Sequence, residues 1–167
     1  MAGRISLLVS KDLRTAIEAS KTLEPEVRKQ VRAGLRRMAE PAFKQETVER
    51  AETRLEQRVI GSTTRVAVSD SNVTLKAATI GTVGAKKTKA YLLAGGAEFG
   101  MNPGKQVTQR SSKGKKYTRR IGSTFRPNRR SGYVFFPAVQ AFIPRAGALL
   151  FQTVYRTVAE TFEKGAR

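Results

Sequence analysis

Apolar side chains recur at helical spacing through the first third of the chain. A first helix is predicted at "SKDLRTAIEAS", where Ser10 is a suitable cap and Leu13 and Ile17 are about one turn apart. A longer helix is predicted from Pro25, a residue suited to a first helical position. Its apolar positions fall on one face: Val27, Val31, Leu35 and Met38. Pro41 is expected to kink or end this helix, and helix-compatible sequence continues beyond it.

The periodicity changes to alternation after Gly61. The stretches "TRVAVSD" and "NVTLKAATI" alternate apolar and polar residues around "SDSN", which predicts two antiparallel strands joined by a turn. The following "GTVGAKKTKA" is rich in Gly and Lys and predicts a flexible connection. Its glycines do not match the spacing of a phosphate-binding loop, so we do not assign it a nucleotide.

The second half of the chain predicts a turn, a long polar segment and a closing helix. "AYLLAGGAEFGMNPG" begins apolar and ends in turn residues, and "GYVFFPAV" predicts a short buried strand or turn. Pro144 is expected to open the last helix, with Leu150, Val154, Val158 and Phe162 on one face. The element order has no β-α-β alternation, which favours an α+β domain. We expect amino-terminal helices, a small antiparallel sheet with a long basic loop, and a carboxy-terminal helix packed on the sheet.

Length and composition limit the number of domains and the kinds of functional site that the chain can have. A chain of 167 residues with 40% hydrophobic side chains is enough for one domain, taken here as residues 1–167. It contains no run of about 18 apolar residues and no signal-peptide pattern, so no membrane span is expected. The absence of Cys and His excludes disulfides and makes a zinc site improbable. We therefore expect no metal, no cofactor and no small-molecule substrate.

The net charge of +19 is concentrated in one region. From Phe99 to Ala159 there are 12 basic residues and no acidic residue, and residues 101–131 form a basic insertion within the domain. Such a field attracts polyanions, either nucleic acid or the acidic face of another protein, and charge alone does not decide between them. Tyr117 and Phe125 lie among the cations, where aromatic rings can stack on bases. The candidate polyanion- or partner-binding residues are Arg110, Lys113, Lys115, Lys116, Arg119, Arg120, Arg126, Arg129 and Arg130.

Candidate catalytic residues are few. The chain has no His or Cys to serve as base or thiolate nucleophile, and most acids occur among basic residues at helix-surface spacing. Glu98 stands apart, but no second acid is near it in the sequence. It is expected to anchor a turn by accepting hydrogen bonds or by pairing with an Arg. We predict no catalytic residues, and an enzyme is the least favoured class.

Two motifs give the chain a family resemblance. "AYLLAGGAEFG" resembles the Glu-Phe-Gly signature of the tail-completion, or head–tail joining, proteins of long-tailed bacteriophages. "GYVFFPAV" resembles the second mark of that family, an aromatic-Pro-Ala segment that leads into the last helix. The motif positions are Glu98, Phe99 and Gly100 in the first segment and Pro137 and Ala138 in the second. In this family they have structural roles: Gly100 permits a turn, and Phe99 is expected to bury against the last helix.

The resemblance implies a structural virion protein of the phage neck, assembled in the host cytoplasm. Such a protein performs tail completion, tail termination or another head-to-tail connection, and it forms a homo-oligomeric ring, expected to be a hexamer. The ring joins the capsid connector or stopper to the tail-tube protein and leaves a channel through which the genomic DNA passes.

The basic insertion leaves alternatives open. One alternative function is an RNA- or DNA-binding module with the composition of a ribosomal protein, although no RNA-recognition, KH or helix-turn-helix signature accompanies the cations. Within the neck hypothesis, the insertion either docks on an acidic face of the next ring or contacts the passing genome. We favour the ring face, because a loop that grips DNA tightly would hinder ejection.

Overall fold

The computed structural model describes residues 3–6, 15, 18, 21, 23–120 and 122–165. The first predicted helix falls mostly outside the described residues, apart from Thr15 and Glu18, which are helical. The side chain of Phe162, assigned to the apolar face of the last helix, is also outside them.

Four helices are described in full. They are α1 (Pro25–Arg50), α2 (Arg54–Val59), α3 (Ala90–Phe99) and α4 (Phe135–Gly165), and a 3-10 turn at Gly61–Thr63 follows α2.

Helix α1 confirms the helix predicted from Pro25. Pro25 occupies its first turn, and its apolar stripe continues from Val31 and Leu35 into Ala39 and Phe43, all of them buried. Pro41 lies inside the helix and does not end it. Proline has no N–H and cannot make one of the backbone hydrogen bonds of the helix. Burial of the apolar stripe on both sides of Pro41 offsets this loss.

Within the described residues, seven strands form three antiparallel sheets. The strands are β1 (Gly3–Ser6), β2 (Arg65–Val68), β3 (Val73–Ala77), β4 (Thr82–Val83), β5 (Thr88–Lys89), β6 (Gln106–Arg110) and β7 (Lys116–Arg120). The largest sheet has the order β1-β3-β2, and the pairs β4-β5 and β6-β7 are separate two-stranded sheets.

The predicted hairpin is confirmed as β2 and β3, with Arg65 opposite Lys76 and Val68 opposite Val73. Strand β1 was not predicted, and its pairing with β3 makes β3 the central strand. The connection at "GTVGAKKTKA" contains the short pair β4-β5, so it has more structure than its Gly and Lys content indicated.

The core lies between α1, α4 and the sheet. Phe43 of α1 contacts Phe135 and Phe142 of α4, with ring centroids 5.9 Å and 5.1 Å away. Close to the sheet, Leu150 of α4 lines the same small space as Val73 of β3. These contacts confirm the expected α+β fold, in which the carboxy-terminal helix packs against the amino-terminal helix and the sheet.

Two boundaries differ from the sequence prediction. Helix α4 begins at Phe135, so the second part of "GYVFFPAV", predicted as a short strand or turn, is the start of this helix, and Pro144 lies inside the helix instead of opening it. The basic insertion, predicted as a loop, contains the hairpin β6-β7. The helix starts early because a distant side chain caps it, and this cap is the centre of the candidate site.

Candidate functional site: a carboxylate clasp and a basic hairpin

Glu98, near the end of α3, binds the amino terminus of α4. Its Oε2 accepts hydrogen bonds from the backbone N–H groups of Val134 (3.3 Å) and Phe135 (2.7 Å). Its Oε1 accepts one from Phe136 at 3.0 Å. The first N–H groups of a helix have no partner within the helix, and they carry its positive partial charge. We call this arrangement, in which Glu98 satisfies three such groups, the carboxylate clasp.

Backbone hydrogen bonds reinforce the clasp. The N–H of Tyr133 donates to the carbonyl of Glu98 at 2.9 Å, and the N–H of Arg129 donates to Phe99 at 2.8 Å. On the other side of the turn, the N–H of Met101 donates to the carbonyl of Arg126 at 2.8 Å. The end of α3 is therefore bound to the segment 126–133 along its length.

Two glycines allow this close approach. Gly100 has φ +67°, and a methyl group there would overlap the carbonyl oxygen of Pro127. Gly132 has φ +76°, and a methyl group there would overlap Oε1 of Glu98 itself. Both the positive φ and the lack of space favour glycine at these positions. The turn assigned to Gly100 is confirmed, whereas the requirement at Gly132 was not predicted.

The two motifs of the sequence meet at the clasp. Glu98 binds the helix that carries Pro137 and Ala138, and the ring of Phe99 lies 5.4 Å from the ring of Phe136. Ala138 is fully buried, and its N–H makes the early helical bond to Val134. The expectation that Glu98 accepts hydrogen bonds is confirmed. Phe99, expected to bury against the last helix, packs on it and is half-buried.

Burial raises the pKa of Glu98 from its ordinary value of 4.5. The three N–H groups act in the opposite direction because they stabilise the ionised form, and the charge of Glu56 adds to the upward shift. Glu98 thus has a second acid near it in space, which its isolation in the sequence did not indicate.

Glu56 is itself engaged with backbone groups. Its Oε2 accepts from the N–H groups of Glu52 and Thr53, each at 3.0 Å, in a capping box at the start of α2. Both carboxylates therefore hold helix termini, and this arrangement organises the backbone.

Arg126 joins the basic insertion to the body. Its guanidinium lies 3.2 Å from Oε2 of Glu52 and 3.7 Å from Oε1 of Glu56, and its centre is 3.9 Å from the ring centroid of Tyr133. The Tyr133 hydroxyl donates to the carbonyl of Pro127 at 2.9 Å. Arg126 was grouped with the partner-binding cations, and the structure adds a structural role, because its guanidinium contacts the body of the domain. No local signal reveals the role, because its acidic partners are about 70 positions earlier in the chain.

The other eight candidate cations are exposed. Six of them lie on the strands of the hairpin or in the turn between them: Arg110, Lys113, Lys115, Lys116, Arg119 and Arg120. Arg129 and Arg130 follow the clasp, where Arg129 donates to the Ser131 hydroxyl at 2.9 Å. Among the described residues, no acid forms an ion pair with a cation of the hairpin.

The two aromatic residues of the insertion differ in surroundings. Phe125 is half-buried on α3, where its ring lies so close to Gly96 that a methyl group there would overlap it. Tyr117 is exposed on β7, and its hydroxyl donates to Gln109 across the hairpin at 3.1 Å. Of the two rings considered for base stacking, only Tyr117 lies on the hairpin.

Within the described ranges, no cluster of three acidic side chains is placed to hold a metal ion. None of the helices described in full has the length and apolar character to cross a membrane. Comparison with known proteins found no matching family model, no matching curated protein and no matching solved structure.

Proposed function

We propose that the chain is a structural subunit of a bacteriophage neck. Copies of it form a ring that joins the capsid connector to the tail tube, in a tail-completion or tail-terminator role, and the ring leaves a channel for the genome. The role is assembly without catalysis. The two motifs support the neck assignment, because the residues that carry the resemblance lie together in the clasp with structural contacts.

The observation that carries the ring is a pair of exposed apolar patches. The first, the α3 patch, consists of Tyr91, Leu92 and Met101, and Leu92 has 64% of its surface exposed. The second, the α4 patch, consists of Phe151 and Tyr155, which are 54% and 80% exposed. Residues four apart lie on the same face of a helix, so the two rings form one surface.

The patches lie at separate places on the molecule. The clasp holds the end of α3 at the start of α4, and Phe151 comes 16 residues after Phe135. At a rise of about 1.5 Å per residue, this separation is roughly 24 Å along the helix axis. A head-to-tail ring requires two different patches on each subunit, one for each neighbour. We therefore propose that the α3 patch of one copy contacts the α4 patch of the next.

Native mass spectrometry of the purified protein tests the ring. The natural chain is expected to form one closed oligomer, with six copies as the expected number. Leu92→Glu and Phe151→Glu should each abolish it, because a charge buried in an apolar interface is costly. Gln152→Glu, an exposed site beside Phe151, is the matched control and should leave the ring intact.

A mixing experiment tests the pairing of the patches. A Leu92→Glu subunit keeps its α4 patch and a Phe151→Glu subunit keeps its α3 patch, so an equimolar mixture should form a heterodimer with one intact interface. Neither variant alone should dimerise. A natural chain that is monomeric at every concentration and absent from purified virions would contradict the proposal, and a mixture that stays monomeric would contradict the patch pairing.

A further inference from the structure

We propose that the outer face of the β6-β7 hairpin binds the backbone phosphates of duplex DNA. The hairpin would lie along a groove as a two-stranded ribbon. This inference rests on the proposed function for the identity of the duplex as the genome that passes the neck. The binding itself is a property of the hairpin, and it is tested separately from the ring.

The register of the hairpin defines its two faces. Val107 pairs with Arg119 and Gln109 with Tyr117. The groove between the hairpin and α3 is lined by Val107, Gln109 and Arg119 of this face and also by Thr108, and Val107 and Gln109 are half-buried. Side chains of directly opposed residues lie on the same face of an antiparallel pair. The outer face therefore consists of the other three pairs, and all six residues are exposed: Gln106–Arg120, Thr108–Thr118 and Arg110–Lys116.

Like charges are concentrated at the end of the ribbon. Arg110 lies opposite Lys116, an arrangement that destabilises an isolated hairpin. Lys113 and Lys115 add two exposed cations in the connecting turn. A tip with four cations and no acid gains free energy when an anion neutralises it.

Most of the described acids already have a basic partner within the chain, so they are less available to neutralise the cations of the hairpin tip. Asp70 pairs with Arg32 at 2.8 Å, and Glu46 pairs with Arg50 at 3.0 Å and also with Arg145. Glu40, Glu52, Glu56 and Glu160 have basic partners as well. Seven of the twelve described acids thus have a basic partner within the chain, which reduces the negative charge that a second copy offers the hairpin. The anion is therefore expected to come from a different molecule.

The chemistry of the outer face favours nucleic acid over an acidic protein. Protein interfaces have an apolar core with aromatic anchors, and the outer face has no apolar side chain. Protein–DNA interfaces are more polar and more positive, and Arg, Lys, Thr and Gln side chains provide phosphate contacts. A two-stranded ribbon also has dimensions that the major groove of B-form DNA admits.

Binding of this kind is compatible with passage of the genome. Tight binding of DNA would hinder ejection, and for this reason a protein partner was expected for the insertion. Contacts to phosphates alone are independent of base sequence and allow a protein to slide along the duplex. The hairpin would hold the DNA in the channel without fixing its position.

The test compares two variants of the full chain with equal net charge. The hairpin variant carries Arg110→Gln, Lys113→Gln, Lys115→Gln and Lys116→Gln. The control variant removes four exposed cations of the body: Arg37→Gln, Lys44→Gln, Arg65→Gln and Lys86→Gln. Each variant has a net charge of +15, the original +19 less four. Affinity for a random-sequence duplex and for poly-L-glutamate is measured over a range of salt concentrations, and native mass reports the ring in parallel.

Four lost phosphate contacts should lower the slope of log affinity against log salt for the duplex by about 3.6, since each contact contributes about 0.9. The control variant should lower it by less than about 1. Equal losses in the two variants would overturn the inference in favour of diffuse attraction, and so would absence of duplex binding at low salt. A greater loss for poly-L-glutamate than for DNA would assign the hairpin to an acidic protein. If the ring persists in any of these cases, only this inference fails.

Discussion

Glu98 and Arg110 are 12 positions apart in the chain and have opposite electrostatic surroundings. Glu98 is only 5% exposed, and its carboxylate accepts three backbone hydrogen bonds from the start of α4. Arg110 is exposed on a hairpin, faces another cation and has no acidic partner among the described residues. The Glu98 side chain binds the start of α4 to the end of α3, whereas the Arg110 side chain is expected to contribute little to folding.

The boundary between these roles runs through the basic insertion itself. Arg126 belongs with Glu98, since it contacts the body through Glu52, Glu56 and Tyr133. The cations of residues 110–120 belong to the hairpin and leave their charge exposed. A uniform run of positive charge in a sequence thus contains two populations, and only contacts with distant residues separate them.

The largest expected effect comes from replacing a glycine of the clasp. Gly100 and Gly114 both have a positive φ, but they differ in the space around them. Gly100→Ala should destabilise the fold by roughly 4 kcal/mol, because it adds overlap with the Pro127 carbonyl to the cost of a positive φ. Gly114→Ala, at φ +79° in the hairpin turn with open space around it, should cost about 1 kcal/mol. Urea denaturation gives both values. Equal costs would show that the clasp does not require the close approach.

Removal of the clasp carboxylate is the next largest change. Glu98→Ala leaves buried N–H groups of Val134 and Phe135 without a partner and should cost about 3 kcal/mol. Glu49→Ala, on the exposed surface of α1, is the control and should change the free energy of unfolding by less than about 0.5 kcal/mol. Thermal unfolding monitored by circular dichroism distinguishes them. A Glu98→Ala protein as stable as the control would refute the structural role of the clasp.

Two substitutions within the insertion test whether Arg126 stabilises the domain while the cations of the hairpin do not. Arg126→Gln should destabilise the domain by about 1–2 kcal/mol, because it removes the stacking on Tyr133 and the ion pairs at α2. Arg110→Gln should have an effect within about 0.5 kcal/mol. Both variants lose one positive charge, so a difference in unfolding free energy reports location and not net charge. Similar changes in unfolding free energy for the two variants would mean that Arg126 and the hairpin cations do not differ in their contribution to stability.

The smallest expected effect is a pH dependence. Burial raises the pKa of Glu98 above the value of 4.5 that applies to the unfolded chain, so the native state binds more protons in the interval above 4.5. The stability contributed by this shift is fully present below 4.5 and is lost as pH rises through the folded pKa.

Glu98→Gln does not titrate, so the unfolding free energy of the natural chain minus that of this variant should fall with pH across this interval and then level. Isothermal urea titrations of both proteins at a series of pH values measure the difference. A difference that increases with pH would mean that the three N–H groups outweigh burial and lower the pKa instead.

The local sequence patterns were sufficient for the fold class and several elements. The stripe from Val31 to Leu35 predicted α1, and the alternation around "SDSN" predicted β2 and β3. Helical and strand periodicities are local, so the residues that reveal them are the residues that form the element. The concentration of cations in residues 101–131 was also apparent without a structure.

Only the tertiary structure decided where α4 begins and what the cations contact. The cap of α4 comes from Glu98, 36 to 38 positions before the N–H groups that it binds. Arg126 pairs with Glu56 of α2 and with Glu52, which precedes that helix. Periodicity carries no information about such distant pairs, because each residue's partner is determined by the path of the chain. The sequence determined how much positive charge the insertion carries, and the folded chain determined which part of it stabilises the domain and which part is exposed.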